Sequence, residues 1–349
     1  MSVHNSTGAS EQIEATPRVD SGTLLGEFEA LRSGCGLFDL SSRARIALSG
    51  SDRVRWLNGM VTNNIRDLQV GHGVYAFLLN PQGHILGDLY AYNRGESLLV
   101  DTDHSQLQRI LATFDHYIIM DDVEVANLSG EITGIGITGP TAGAILRASG
   151  FDVSDLQAPQ FADLAWKNIG ITVVRSHNQS VESYELWVAP ANLDLLREAL
   201  VRAGARPVGA AALELFRVAC GIPRYGQDIR ERDLPQETGQ QRALHFSKGC
   251  YIGQEIVERI RSRGSVHRKF TGFAVQGPAP VAGAKLQADG RDVGEITSLA
   301  SFPAKSGQAP SWRALGYVRR EIAAGKTVTS GESQLIVTDL PFGDILFNR

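Results

Sequence analysis

The stretch from residue 44 to 127 constrains the chain most, because its apolar periodicity switches between two and 3.6 in a fixed order. Residues 44–48 read as a strand, and Ser51 or Asp52 stands where a cap would open a short helix carrying Val54 and Leu57. Residues 74–79 and 85–92 read as strands joined by the turn sequence Asn80-Pro81-Gln82-Gly83. A short strand at 98–100 follows. Leu107, Ile110, Leu111 and Phe114 then give a helical i, i+3, i+4, i+7 stripe, and 123–126 closes the set as a strand. That succession is βαβ-βαβ, a ferredoxin-like arrangement with one additional strand.

A similar order follows it. Strands are expected at 132–137, 171–174 and 184–188, with Pro140 in the first turn of a helix ending near Gly150. Leu193, Leu196 and Leu200 mark a helix stopped at Gly204. The segments Ala47-Leu48-Ser49-Gly50 and Gly136-Ile137-Thr138-Gly139 are comparable strand-to-helix junctions. A helix over about 209–220 carries Leu213, Phe216 and Cys220 on one stripe, and Arg217 shares it. An arginine there needs an anion, either an internal carboxylate or a ligand. After residue 264 Gly and Pro recur and short strands are expected at 270–275, 293–299, 315–318 and 334–337, a pattern of a small β-barrel or jelly roll. At the other end, 24–33 reads as a helix that Ser21 can cap and Gly34 can end, preceded by a disordered tail. The expected organisation is α+β: a tail at 1–20, a ferredoxin-like part at 21–130, a second α+β part at 131–263 and a barrel at 264–349.

Bulk properties exclude several classes. The 349 residues carry a net charge of −4, so nothing global advertises a nucleic-acid or membrane partner. No apolar run approaches the about 18 residues of a membrane-spanning helix, and no secretory signal is evident at the N-terminus. Three widely spaced cysteines imply a reducing compartment without a disulfide framework, and no Cys/His group has zinc spacing. A dinucleotide fingerprint, a Walker-type phosphate loop and a Gly-x-Ser-x-Gly elbow are all absent.

The chemistry concentrates in Lys248-Gly249-Cys250-Tyr251-Ile252-Gly253-Gln254-Glu255. Ile256, Val257 and Ile260 have helical spacing, so a helix is expected to begin near Gly253 with Cys250 just ahead of it. Positive charge at Lys248 and a helix N-terminus both favour a thiolate; the alternative is a small buried cysteine without chemistry. One cysteine cannot by itself hold an iron–sulfur cluster. On the strand at 85–92, Leu86, Asp88, Tyr90 and Tyr92 share a face, which makes Asp88 either a hydrogen-bonded structural carboxylate or one that grips a ligand. The loop Pro223-Arg224-Tyr225-Gly226-Gln227-Asp228 leads into the cysteine motif.

The eight-residue run resembles the signature of the YgfZ proteins, bacterial folate-binding relatives of the glycine-cleavage T-protein whose mitochondrial counterparts serve iron–sulfur cluster assembly. Gly36-Leu37-Phe38-Asp39-Leu40-Ser41, Val61-Thr62-Asn63 and the 79–83 turn are similar to the T-protein N-terminal pattern, and 293–298 and 315–318 to its barrel. The resemblance covers about residues 22–342. It implies a T-protein-like ring of ferredoxin-like domains and a barrel around a central hole that binds a tetrahydrofolate species. Asp88, Arg217 and Tyr225 match pocket positions; Asn63 and Gln254 are grouped with them as folate-binding. Cys250 is the implied essential thiol, with Lys248 lowering its pKa and Glu255 and Gln254 fixing the loop. No metal is implied. Two functions follow, beside the plainer alternative of a pure binding module with a structural cysteine. One is an accessory protein for iron–sulfur assembly or repair, meeting iron–sulfur client or assembly proteins, including tRNA-methylthiolating ones, as a cytoplasmic monomer without direct contact to nucleic acid. The other is a tetrahydrofolate-dependent aminomethyltransferase. Against the second, the glycine-rich acidic loop of T-proteins is replaced by Gln179-Ser180-Val181-Glu182-Ser183, where Glu182 could substitute only after a one-residue shift, and T-proteins lack Cys250. A tryptophan associated with folate in some YgfZ proteins is missing near Arg43.

Overall fold

The computed structural model describes residues 21–178, 180–264, 266–303 and 310–347. The expected tail at 1–20 and the position of Gln179 lie outside the described residues, as does the side chain of Ser21, the expected cap of the first helix. The chain opens with α1 (Ser21–Ser33), ended at Gly34, whose amide donates to the Ala30 carbonyl. β1 (Gly36–Asp39) follows.

The first sheet comprises β2 (Arg43–Ser49), β3 (Gly73–Leu79), β4 (Ile85–Asn93), β5 (Leu98–Asp103) and β6 (Glu124–Asn127), in the order β3-β4-β5-β2-β6. This is the expected ferredoxin-like order with its extra strand. α2 (Arg53–Met60) and α3 (Leu107–Tyr117) cover one face. Leu107, Ile110 and Phe114 are buried there, each stabilising by about 1.5–3 kcal/mol. The Asp52 carboxylate does not cap α2; it accepts from the Asp122 amide instead. A β-bulge also alters one expectation. Leu78 pairs with Gly87 but Leu79 pairs with Ile85, so Leu86 is the extra residue and packs toward the helices rather than beside Asp88.

The second sheet takes in β7 (Thr133–Thr138), then, after α4 (Ala142–Ala148), β8 (Phe161–Trp166), β9 (Ile169–Arg175) and β10 (Ser183–Val188). α5 (Leu193–Arg202) and the two-residue β11 (Arg206–Pro207) complete it, in the order β11-β1-β7-β10-β9-β8. β1 therefore belongs here, antiparallel to β7, although the sequence division placed residues 36–39 in the first part. α6 (Ala210–Ala219) packs with α1 against the third unit.

α7 (Gln254–Arg263) starts where the motif predicts. With the preceding loop it covers the other face of the first sheet: Tyr75, Phe77, Leu79 and Ile85 are buried against Ile229, Ala243, Tyr251 and Val257. The cysteine motif thus packs on the first sheet together with Ile229 and Ala243 of its own part of the chain. The approach is close because two glycines meet. Gly253 has φ +79, and a Cβ there would lie 2.6 Å from the Asn80 carbonyl; a Cβ on Gly83 would lie 2.7 Å from that of Ile256.

The third unit is a closed six-stranded barrel of β12 (Arg268–Gln276), β13 (Lys285–Ala288), β14 (Arg291–Phe302), β15 (Ser311–Arg319), β16 (Thr327–Ser330) and β17 (Ser333–Thr338), followed by α8 (Gly343–Leu346). Four of these strands match the sequence expectation; β13 and β16 are short pieces the pattern did not show. An ionic cluster clamps the 223–250 loop to the barrel. Glu295 accepts from Arg230 at 2.6 Å and from Arg232 at 2.8 Å, while Arg268 reaches Asp233 and Glu237. Burial alone would raise the Glu295 carboxyl, but the Arg230 hydrogen bond and the charges of Arg230, Arg232 and Lys285 bring it to about 2. Among the described residues no helix is long and apolar enough to cross a membrane.

Gly253→Ala is expected to cost about 2–4 kcal/mol in urea unfolding, from the left-handed backbone and the carbonyl contact together, whereas Gly249→Ala, which meets nothing within 4 Å, is expected to stay within about 0.5 kcal/mol of wild type. The Glu295 contribution has a defined pH window. Its folded pKa lies below the unfolded value of about 4.3, so the stabilisation is present above that value and is lost as pH falls through about 2. Unfolding midpoints of wild type and Glu295→Gln should therefore converge as the pH is lowered from 5 toward about 2.

Candidate functional site

β3 and β4 place Tyr75 opposite Tyr90 on the face away from the helices, with ring centroids 5.1 Å apart. Asp88 lies beside them. One carboxylate oxygen accepts from the Tyr75 hydroxyl at 2.7 Å and the other from Gln106 Nε2 at 2.7 Å. Burial, followed by the Asp88 charge and hydrogen bond, pushes the Tyr75 phenol well above its ordinary range, so it stays a donor. Arg242 covers this pair. Its guanidinium sits 4.3 Å from the Tyr75 ring centroid and donates to the Tyr90 hydroxyl at 2.8 Å. Asn63 fixes the arrangement by donating from Nδ2 to the carbonyls of Tyr75 and Arg242, both at 2.8 Å.

Tyr90 and Arg242 form one wall of a cavity of about 260 Å³. His177 and Asn178, from the segment between β9 and β10, form another, with Cys220 at the end of α6 and Phe270 from the barrel. Both sheets and the barrel converge here, and the volume is just below the about 300–1,000 Å³ of typical small-molecule sites. The His177 imidazole is lowered by burial and then by the Arg242 charge, which keeps it neutral near pH 7. Its Nε2 is buried without a hydrogen-bond partner among the described residues. Burial pushes the Cys220 thiol up to about 12, so it is protonated.

The residues anticipated from sequence separate into several environments. Asp88 stands behind Tyr75 and is not part of the cavity wall. Tyr225 is spent on architecture: its hydroxyl donates to the Leu86 carbonyl at 2.6 Å and accepts from Arg109 at 3.1 Å. Arg217 has no donor left for a ligand. Nε and Nη2 bind Glu214 at 3.0 and 2.6 Å, Nη1 binds Asp228 at 2.6 Å and the Ile222 carbonyl at 2.7 Å, and Nη2 also reaches Ser298 at 2.7 Å. Of the two readings of that stripe, the internal carboxylate is the one present. Asn63 likewise has both amide hydrogens engaged.

The cysteine motif forms a separate surface. Lys248 is buried, and its ammonium turns inward to the carbonyls of Asn58, Val61 and Asn63 at 2.5, 2.6 and 2.6 Å, at the C-terminal end of α2. It is therefore not available to the Cys250 thiol, and its expected role there is corrected to positioning. Burial, assisted by Arg66, pushes it down to about 7. Cys250 is exposed, ahead of the α7 N-terminus, and is not among the residues lining the cavity. Gln254 steadies the turn by accepting from the Tyr251 amide at 3.3 Å. Glu255 is exposed in the first turn of α7, and no hydrogen bond or ion pair of its side chain is found among the described residues; the helix dipole is its only favourable partner. Glu182 does not face the cavity. Its carboxylate accepts from the Gly143 amide at 3.1 Å, in the first turn of α4, and lies 3.5 Å from Arg175. Arg43, near the position of the missing tryptophan, bonds Asp101.

Sequence reasoning missed Arg242, His177 and Asn178, and took Cys220 only as part of a helix stripe. Arg242 sits in a glycine- and glutamine-rich loop with no periodicity, and only the fold brings it over two tyrosines. Among the described residues no group of His, Cys, Asp and Glu side chains could hold a metal ion.

Residues 16–248 match the GCVT N-terminal domain model. The chain is 30% identical over 324 residues to an aminomethyltransferase of Rubrobacter xylanophilus, covering 90% of this chain and 85% of the relative. It is 29% identical to that of Rippkaea orientalis, covering 91% and 89%. Its structure superposes with a TM-score of 0.81, at 25% identity and over 92% of this chain and 90% of the other, on the glycine cleavage system aminomethyltransferase T from Bartonella henselae. The chain belongs to the GCVT N-terminal domain family and has the T-protein fold with its C-terminal barrel.

Lys248→Met leaves three carbonyls without their donor and is expected to lower stability by at least about 2 kcal/mol in urea. The sign with pH is set by the depressed ammonium. Between about 7 and the unfolded value of about 10.4 the unfolded chain binds more protons, so wild type should gain on the Met variant as pH rises through that window.

Proposed function

We propose that this protein is a folate-binding accessory factor for iron–sulfur cluster assembly or repair, of the YgfZ type, that holds a tetrahydrofolate species in the central cavity and presents Cys250 to iron–sulfur client or assembly proteins. One observation carries the reading: the exposed thiol of the motif and the aromatic, cationic cavity lie on separate surfaces, so the thiol is open to a macromolecule while the cavity is occupied. Tyr90 and Phe270 offer flat apolar faces to a pteridine ring. Arg242 and Asn178 offer donors, and the neutral His177 an unpaired ring nitrogen. Asp88 acts one layer out, holding the Tyr75 hydroxyl beneath Arg242. Lys248 and Gln254 hold the turn that carries Cys250. Clients include tRNA-methylthiolating enzymes. The protein works in the cytoplasm as a monomer and needs no nucleic-acid contact of its own, which agrees with its net charge of −4.

A second reading, tetrahydrofolate-dependent aminomethyl transfer, is supported by the names of the relatives and by the carboxylate Asp88 next to the cavity wall. The commitment of Glu182 to α4 counts against it.

Calorimetric titration with 5-formyltetrahydrofolate should show binding that Arg242→Ala weakens at least about tenfold and Cys250→Ser leaves unchanged. A strain carrying Cys250→Ala should lose methylthiolated tRNA. An unaltered tRNA profile, together with Cys250-independent formation of methylenetetrahydrofolate from an aminomethylated carrier protein, would replace the first reading by the second.

A further inference from the structure

β6 is the last strand of the five-stranded sheet, and among the described residues no strand lies on its outer side. Half of its peptide groups therefore face away from β2 without a ladder partner. Between this edge and the C-terminal half of α3 runs an open groove of about 390 Å³, lined by Leu111, Ile118, Val123 and Val125, with Asp115 at its margin. The four apolar side chains touch the sheet core on one side only. The loop after α3 raises Ile119 and Met120 beside the groove, 82% and 95% exposed; among the described residues these are the two most exposed large apolar side chains. Scattered exposed apolar residues are ordinary, but here two of them, an apolar groove and a bare strand edge coincide.

The charge around the groove is predominantly acidic. Asp115, Asp122 and Glu124 are exposed. Asp121 and Asp52 lie alongside and share one guanidinium, that of Arg55. A second copy of this chain pairing edge to edge would set this acidic margin against itself, which is destabilising. A basic partner would gain instead.

We propose that β6 and the adjoining groove form a docking site for an extended segment of another protein, one with apolar side chains at alternate positions and lysine or arginine between or beside them. The segment adds as a sixth strand through its main chain. Its alternate side chains enter the groove between Ile118 and Val125, Met120 and Ile119 close over them, and its cations meet Asp115 and Glu124. Methionine suits such a rim because its side chain adapts to varied apolar surfaces. This surface shares no lining residue with the cavity, and Cys250 does not line it.

The test uses the full chain and a fluorescein-labelled octapeptide of alternating lysine and valine, with a glutamate-for-lysine counterpart, followed by fluorescence polarisation. Saturable binding of the lysine peptide is expected, weakened at least about tenfold in the Ile119→Ser/Met120→Ser variant and similarly at about 0.5 M sodium chloride. Circular dichroism should show the variant folded, since both side chains are exposed. The proposal is overturned by absence of saturable binding, by equal binding of the glutamate peptide, or by an affinity the double variant leaves unchanged. Sedimentation of wild type as a dimer that the same variant dissociates would overturn it in favour of a second copy.

Discussion

A buried ammonium holds the cysteine motif in place. Lys248 spends its three N–H groups on three carbonyls where α2 ends and the chain turns toward β3. Helix C-termini leave carbonyls without intrahelical donors, and a cation there also meets the negative end of the helix dipole. A single side chain from residue 248 thus closes a helix that ended almost 190 positions earlier. The three acceptors offset part of the cost of desolvating the charge, and the remainder lowers the ammonium to about 7. Once Lys248 is seated, Gly249 and Cys250 have nowhere to go but outward, and Tyr251 returns to the core beside Val257.

The same accounting separates architecture from openings for ligand. Arg217, Tyr225 and Asn63 are polar, partly or fully buried, and saturated. Saturated groups specify geometry; they have nothing left to offer a ligand. Arg217 with Asp228 ties α6 to the 223–228 loop, and Ser298 extends the tie into the barrel. Among the described residues several buried polar atoms lack a partner, and His177 Nε2 is the one of them that faces the cavity where both sheets and the barrel meet. The exposed thiol of Cys250 is not among the residues that line that cavity.

Much of the fold was legible because it is written in local periodicity. The α3 stripe, the 85–92 strand, the start of α7 and the barrel strands all carry their own pattern. Leu86 was misplaced because a bulge inserts a residue without any signal in the alternation. β1 joined a sheet built largely from residues a hundred positions later, and no local pattern names a strand's neighbours. β13 and β16 were too short to rise above the turns around them. At the site, Asp88 and the cysteine motif stood out by composition, whereas Arg242, His177 and Asn178 sit in irregular loops and acquire their meaning only from what they face.

The sequence alone determined the relationship to the T-protein, much of the order of helices and strands, and the glycine-rich motif that carries Cys250, since each depends on residues adjacent along the chain. The tertiary structure decided the rest: that Lys248 points inward, that Arg217 is already satisfied, that Cys220 rather than Cys250 lines the cavity, and that β6 is left as an edge. Those outcomes depend on distances between segments far apart in sequence, and hydrogen-bonding capacity is either used or left open only once those segments are brought together.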